Sequence, residues 1–356
     1  MRKTAAKLLA AVAIATSVAT VATGTAVADP AAGVTPAAQD IVGVGSDTTQ
    51  AVLNQFSTDY NAFLGASSTL PRLYSWDSTG TSPLTTKTGA TSINRPNGSS
   101  AGISALDASS KTTIDFARSS RGPKNTVGTT PGDPTTDLFV AFAKDAVSYA
   151  TATTGSNAPV NLSKADLTRI YNCSALTWKD INASLPANPI KAYLPQNGSG
   201  TLSFFLSALG LTAPGACVQP TRVQENQGTD LLLADADAIV PYSVAHYIGQ
   251  VYNGHGSGAD QAGNVTIRSI DAVAPIQTSD NTLSPIFAAT SFGRVIYNVV
   301  RQTNWLATDT QGTALRAIFG SNGWICKNAT AAADIKSYGF LTLPLGACGS
   351  TTHSTI

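Results

Sequence analysis

Charge is scarce in this sequence. Its 356 residues hold 22 Lys and Arg against 21 Asp and Glu, a formal net charge of +1. Histidine is limited to His246, His255 and His353, and the four cysteines have no metal-ligand spacing, so a zinc site is not expected. Beyond the N-terminus no stretch is long and apolar enough to span a bilayer. There is no internal repeat. What abounds instead is Ala, Gly, Ser and Thr, a neutral and hydroxyl-rich composition common in secreted proteins.

The N-terminus reads as a secretory signal. Arg2, Lys3 and Lys7 are basic, Leu8 to Val21 is a short apolar run, and Ala26-Val27-Ala28 offers a cleavage site before Asp29. No cysteine follows, so lipid attachment is not expected, and Arg2-Lys3 is not a twin-arginine pair. Removing residues 1–28 leaves 19 basic against 21 acidic residues, a net charge of −2. Such a balance argues against a general nucleic-acid or anionic-membrane binder. The remaining length exceeds one ordinary core and favours two domains. In an export context, Cys173, Cys217, Cys326 and Cys348 favour two disulfides out of three possible pairings. Nearness in sequence favours Cys173–Cys217 and Cys326–Cys348.

Along the chain, a flexible Pro/Ala leader is expected over 29–39. Ile41 to Val44 reads as a buried strand running into Gly45-Ser46-Asp47-Thr48-Thr49, and Val52, Leu53, Phe56, Tyr60 and Phe63 carry a helical face. Gly98-Ser99-Ser100-Ala101-Gly102 is a second small-polar turn. Thr113 to Arg118 is a strand that empties into Ser119-Ser120-Arg121. Leu138 to Ala143 reads as a buried strand entering a second domain, and Ser163 starts a helix with a capping box. Pro189 to Leu194 is a strand leading to Gly198-Ser199-Gly200-Thr201. There Leu202, Phe205, Leu206 and Leu209 mark a helix that Gly210 stops. Leu231 to Ala238 is helix-like, Ile239 to Val244 a return strand, and Arg294 to Val300 a strongly β-branched strand. Strands alternating with helices predict an α/β fold with a largely parallel sheet, ligands gathering at the strand ends. A Gly-Ser-Gly-Thr turn opening a helix is chemically a cradle for an oxyanion, because the first helical turn has free N–H groups and a partial positive charge.

These stretches, in this order, resemble the phosphate-binding proteins of ABC uptake systems in the type II periplasmic-binding-protein superfamily. The resemblance covers most of residues 40–345. It rests on Gly43-Val44-Gly45-Ser46-Asp47-Thr48, Gly98 to Gly102, Asp115-Phe116-Ala117, the Leu167, Ile170, Tyr171, Trp178, Asp180 pattern, and Gly198 to Phe205. It implies a two-lobed α/β fold with two crossover strands, lobe 1 over 40–138 and 246–350 and lobe 2 over 139–245. It implies no catalysis, no cofactor and no metal, and a monomer that captures phosphate or a similar oxyanion for an ABC permease. Carried over by position, Ser199, Gly200 and Thr201 would hold the anion from lobe 2, and Ser46, Thr48 and Ser99 from lobe 1. Two departures stand out. Ser120 occupies the family's proton-accepting aspartate position, and Pro195 that of its arginine. Either the charges have moved, to Asp47 as acceptor and to Arg118 or Arg121 as cation, or the ligand is another oxyanion or small polar molecule.

Two other functions compete. Gly98 to Gly102 matches the G-x-S-x-G form of serine hydrolases, with Ser100 as nucleophile, but Pro96 disfavours the strand this motif needs and no histidine is well placed as base. A secreted scavenger or sensor without a transporter would equally suit a chain that lacks a lipid anchor.

Overall fold

The computed structural model describes residues 29–31, 33–125, 132–344 and 346–352. The signal segment expected at 1–28 and His353 lie outside the described residues. Eleven strands are described in chain order: β1 (Ile41–Gly45), β2 (Leu73–Ser75), β3 (Phe116–Ser119), β4 (Asp137–Ala152), β5 (Asn161–Leu162) and β6 (Lys191–Ala192), followed by β7 (Ala238–Ser243), β8 (Val265–Ile267), β9 (Ser269–Ile270), β10 (Gly293–Arg301) and β11 (Leu341–Thr342). The main sheet runs β2-β1-β3-β10-β4-β7-β6, with β8 and β11 also paired to β4. β1 is parallel to β2 and β3, and β6 to β7, whereas β10 and β4 run antiparallel to their neighbours. The sheet is therefore mixed rather than largely parallel. The antiparallel pairs arise because β4 and β10 carry the chain between two halves of the molecule in opposite directions.

Strand β4 is the long element, 16 residues with nearly every position buried. Up to Ala146 it pairs with β10, and from Val147 onward with β7. Gly293 opposite Ala146 opens the β10 ladder, so both crossings lie side by side. Hydrophobic packing follows this division. On one side Phe56 meets Phe142 and Trp324 edge to face at 6.0 and 5.9 Å, with Leu315 and Ile318 in the same cluster. On the other, Trp178, Tyr171 and Phe205 pack with Ile270, Phe287 and Phe292. Tyr171 and Phe205 are edge to face at 5.0 Å. Burying a side chain such as Phe205 contributes about 1.5–3 kcal/mol, which is why its helix sits against this core.

Several expectations need correction. Leu138 to Ala143 pair with β10, and beyond 246 the chain adds Ile270 and Phe292 to the cluster of Trp178 and Tyr171 and Val265 to that of Tyr193 and Tyr242. Within the stretch expected to be a flexible leader, Asp29 and Pro36 are held: Arg95 clamps the Asp29 carboxylate at 2.8 and 2.9 Å, and Thr88 donates to the Pro36 carbonyl. Phe63, placed on the buried helical face from its spacing, is 64% exposed and stacks on Tyr60. Only Leu231–Ala234 of the helix-like 231–238 stretch is helical, as a single 3-10 turn.

Both disulfides favoured by sequence are present, Cys173–Cys217 and Cys326–Cys348, with Cα–Cα separations of 5.7 and 5.6 Å. On a loop-entropy account they stabilise by about 4 and about 3 kcal/mol. Among the described residues, no helix is long and apolar enough to cross a membrane.

Candidate functional site

The small-polar turns meet where the two halves of the sheet face each other. The loop after β1 places Ser46, Asp47, Thr48 and Thr49, all buried, at the start of helix Gln50–Leu64. Gly98 opens helix Ser99–Asp107, and Ser199 opens helix Gly200–Ala208, where its hydroxyl accepts from the Leu202 N–H at 3.0 Å. Three helix N-termini thus share one region, each with unpaired N–H groups and a partial positive charge.

Glycine makes the approach possible. The Ser100 N–H donates to the Gly198 carbonyl at 2.9 Å. A Cβ on Gly98 would sit 2.5 Å from that carbonyl oxygen, and one on Gly200 would sit 2.3 and 2.4 Å from the Ser99 and Ser120 hydroxyls. Ser99 Oγ accepts from the Ser120 N–H at 3.0 Å and lies 3.2 Å from its hydroxyl. Thr48 and Thr201 bring their hydroxyls to 3.4 Å across the junction. So Ser46, Thr48, Ser99, Ser120, Ser199, Gly200 and Thr201 are gathered in one place.

Asp47 joins them through a second-half segment that sequence reasoning missed. Its carboxylate accepts from Asn226 at 2.9 Å, from Gln224 at 3.2 Å and from Ser78 at 3.1 Å. Beside it the Thr48 hydroxyl donates to Glu225 Oε1 at 2.7 Å. Burial first, then the Glu225 and Asp260 carboxylates, lift Asp47 to about 7, against the pull of His246 and Asn226. His246 sits 3.1 Å from the Thr48 carbonyl and 2.6 Å from Asp260. Burial opposes its charged form, but Asp260, by charge and hydrogen bond, and Asp47 raise it to about 10. An imidazolium held in this way donates at both nitrogens and is no general base. Ser100, in turn, has Arg121 and Lys124 as its side-chain partners. Among the described residues the hydrolase arrangement is not built.

The two arginines nominated as cations have other tasks. Arg118 is fully buried and donates to the Ser46 carbonyl at 3.0 Å and to Ser75 Oγ and the Trp76 carbonyl, both at 2.7 Å. It ties the ends of β1, β2 and β3 together instead of facing the cleft beside Ser120. Burial pulls it down to about 10, with Asp77 and Asp47 opposing. Arg121 is clamped by Asp133 at 2.6 and 2.9 Å. A third arginine, read in the sequence only as part of a β-branched strand, reaches the junction: Arg294 donates to Thr201 Oγ1 at 2.9 Å while its other nitrogens hold Asp145. No spacing rule could have marked it, because its partners lie 93 and 149 residues away.

One further observation marks this junction as a site. Ser46 Oγ, Thr49 Oγ1, Glu225 Oε2 and Asn226 Oδ1 are all buried without a hydrogen-bond partner in the protein. Each such atom costs about 1–3 kcal/mol unless a polar group or water meets it, and these four lie on the 46–49 and 225–226 segments, which contact each other through Thr48 and Asp47. Neutral donors and helix termini can hold an anion, with the side-chain acceptors taking any proton it carries. Among the described residues no group of three His, Cys, Asp or Glu could hold a metal ion.

Comparison with known proteins bears on the family and the fold. The phosphate-binding protein PstS of Staphylococcus haemolyticus is 52% identical over 44 residues, and that of Staphylococcus saprophyticus 48%. Each match spans 12% of this chain and only 14% of the relative. An ABC-type phosphate transport receptor from Vibrio cholerae superposes with a TM-score of 0.54 at 18% identity, covering 86% of this chain and all of that one. A putative phosphate ABC transporter substrate-binding protein from Clostridium perfringens, solved with phosphate, gives 0.55 at 12% identity with the same coverages. At these identities the likeness is one of fold: a two-lobed, type II periplasmic-binding-protein architecture. The family model described as PBP superfamily domain matches residues 13–295, well over half of the chain. The chain therefore belongs to the PBP superfamily.

Proposed function

We propose that the protein is an exported solute-binding protein that captures a small oxyanion, phosphate first, between two lobes for an ABC-type permease. The observation that carries this reading is the set of buried, unpartnered polar atoms at the meeting point of three helix N-termini. The ligand set is Ser46, Thr48, Ser99, Ser120, Ser199, Gly200 and Thr201, with Asp47 buried beside Thr48; Arg118 serves the first lobe's frame. The lobes divide at 146/147 and 292/293, where β4 and β10 cross, so lobe 1 comprises 40–146 and 293–350 and lobe 2 comprises 147–292. The relatives named for phosphate binding or phosphate transport support phosphate as the first candidate. The protein acts as a monomer without catalysis, exported by a signal cleaved after Ala28.

A thermal-shift panel tests the reading. Inorganic phosphate at about 100 times its dissociation constant should add about 2.7 kcal/mol to the folded state. Arsenate, sulfate and small polar metabolites complete the panel. A shift with another anion alone would move the ligand and keep the class; no shift with any of them would overturn capture of an oxyanion.

A further inference from the structure

The loop at 224–226 carries an acidic side chain into the junction. Val223 bridges to Pro195 in parallel, and its N–H donates to the Leu194 carbonyl. The loop therefore runs beside the stretch that delivers Ser199, Gly200 and Thr201. It is firmly braced. The Glu225 N–H donates to Gln196 Oε1 at 2.8 Å, and the Asn226 carbonyl accepts from Tyr242 Oη at 2.6 Å and Gln250 Nε2 at 2.8 Å. Asn226 sits at φ 58°, in the left-handed region where asparagine is enriched. Gln224 and Asn226 donate to the Asp47 carboxylate, and Gln224 accepts from Asn97 Nδ2 at 2.8 Å.

The Glu225 side chain is held far less completely. It is 2% exposed, and its Oε1 accepts from Thr48 Oγ1 at 2.7 Å while Oε2 has no partner. Among the described residues no Lys, Arg or His forms an ion pair with it. A carboxylate without a cation is expensive to bury. What makes this one tolerable is what suits an external anion: a hydroxyl donor at the start of helix Gln50–Leu64, where the helix end is partly positive. The same Thr48 hydroxyl lies 3.4 Å from Thr201 Oγ1 in the facing part of the cradle.

We propose that the Glu225 carboxylate is an internal occupant of the anion site, holding Thr48 until an incoming oxyanion displaces it. This rests on the functional reading above. The internal contact is incomplete, and that makes displacement feasible. Ser46 Oγ and Thr49 Oγ1, two further hydroxyls on the Thr48 loop, have no partner. A flat carboxylate on a tethered side chain leaves them unmet, whereas a tetrahedral oxyanion presents oxygens in several directions at once. The tether works the other way: a group on the same chain is present at high effective concentration. Glu225 belongs to lobe 2 and Thr48 to lobe 1, so their bond also draws the lobes together. The apparent affinity for an oxyanion is then reduced by the fraction of molecules in which Glu225 has left Thr48. An anion that makes no more bonds than Glu225 does not displace it, so this residue sets a threshold for capture.

The test compares wild type with Glu225→Ala and Glu225→Gln, with circular dichroism as the check on folding. By titration calorimetry with inorganic phosphate, both variants should bind on the order of tenfold more tightly than wild type, the equivalent of one charge-assisted hydrogen bond. By small-angle scattering, both ligand-free variants should be larger than ligand-free wild type, and phosphate should compact them. Sodium acetate returns the missing carboxylate as a free molecule. It should raise the melting temperature of Glu225→Ala and leave that of wild type unmoved. If Glu225→Ala does not fold, affinity and particle size of Glu225→Gln decide. Relief of charge repulsion alone would tighten binding without enlarging the ligand-free particle or creating a response to acetate. That result, or phosphate binding no tighter in the folded variants, overturns this inference alone. Absence of phosphate binding in all three proteins overturns the phosphate reading of the site as well.

Discussion

Arg118 and Arg294 are both buried guanidiniums close to the same cleft, yet they serve it differently. Arg118 lies within the first lobe and spends its donors on three carbonyls and a serine at the strand ends. Arg294 lies at the crossing, is neutralised by Asp145, and extends a donor to Thr201 on the opposite side. The difference is one of partners rather than burial. A cation that closes the frame of one lobe contributes to folding, whereas one whose contact spans the junction also depends on whether the lobes are together.

The largest effect expected from this contrast is on folding. Arg118→Met strands the Ser46 and Trp76 carbonyls and should cost about 1–3 kcal/mol for each of them in denaturant unfolding, far more than it costs ligand affinity in the protein that remains folded. A loss of affinity without a loss of stability would make the two arginines alike. Next comes Gly200→Ala. The added methyl would meet the Ser99 and Ser120 hydroxyls, so it should open the cleft at a cost of about 1–3 kcal/mol. Small-angle scattering should then show an expanded particle that ligand no longer compacts.

The third prediction concerns pH. Asp47 has an ordinary value of 3.8 and rises to about 7 in the folded protein, so the folded state holds the proton more tightly. Its contribution to stability is full below about 4 and is lost as pH rises towards 7. Asp47→Asn should flatten that part of a melting-temperature profile. Smallest of all is Asp29→Ala, which removes a partly exposed pair with Arg95. It should cost up to about 1 kcal/mol and leave binding unchanged, so an affinity loss there would bring the leader into the site.

Much of the fold was legible because it is carried by local pattern. The apolar run Ile41 to Val44 is a buried strand, Ser163 and Asp166 form the expected capping box, and Leu202 to Leu209 packs where its spacing put it. Phe63 shows the limit: helical periodicity gives a face, but the neighbouring elements decide how wide the covered part of that face is. The cradle was partly legible for the same reason. Gly-Ser-Gly-Thr, Gly-Ser-Ser and the turn after β1 are short words whose backbone properties are local. Their partners are not. Glu225 and Asn226 lie in a stretch with no motif, and Thr48 reaches Glu225 across 177 residues.

By itself the sequence determined the elements, the favoured disulfide pairing and the kind of chemistry the turns can offer, since strand and helix periods, capping and donor type depend on neighbours in the chain. Only the tertiary structure decided which acceptors each charge meets. Arg118 looked available from its place at the end of a strand, but the ends of three strands converge on it and take its donors. Arg294 looked like a strand residue, and the antiparallel register of β10 on β4 set it against Asp145 and within reach of Thr201. A guanidinium bonds whatever acceptors the fold brings within about 3 Å, and that neighbourhood exists only after two distant strands have paired.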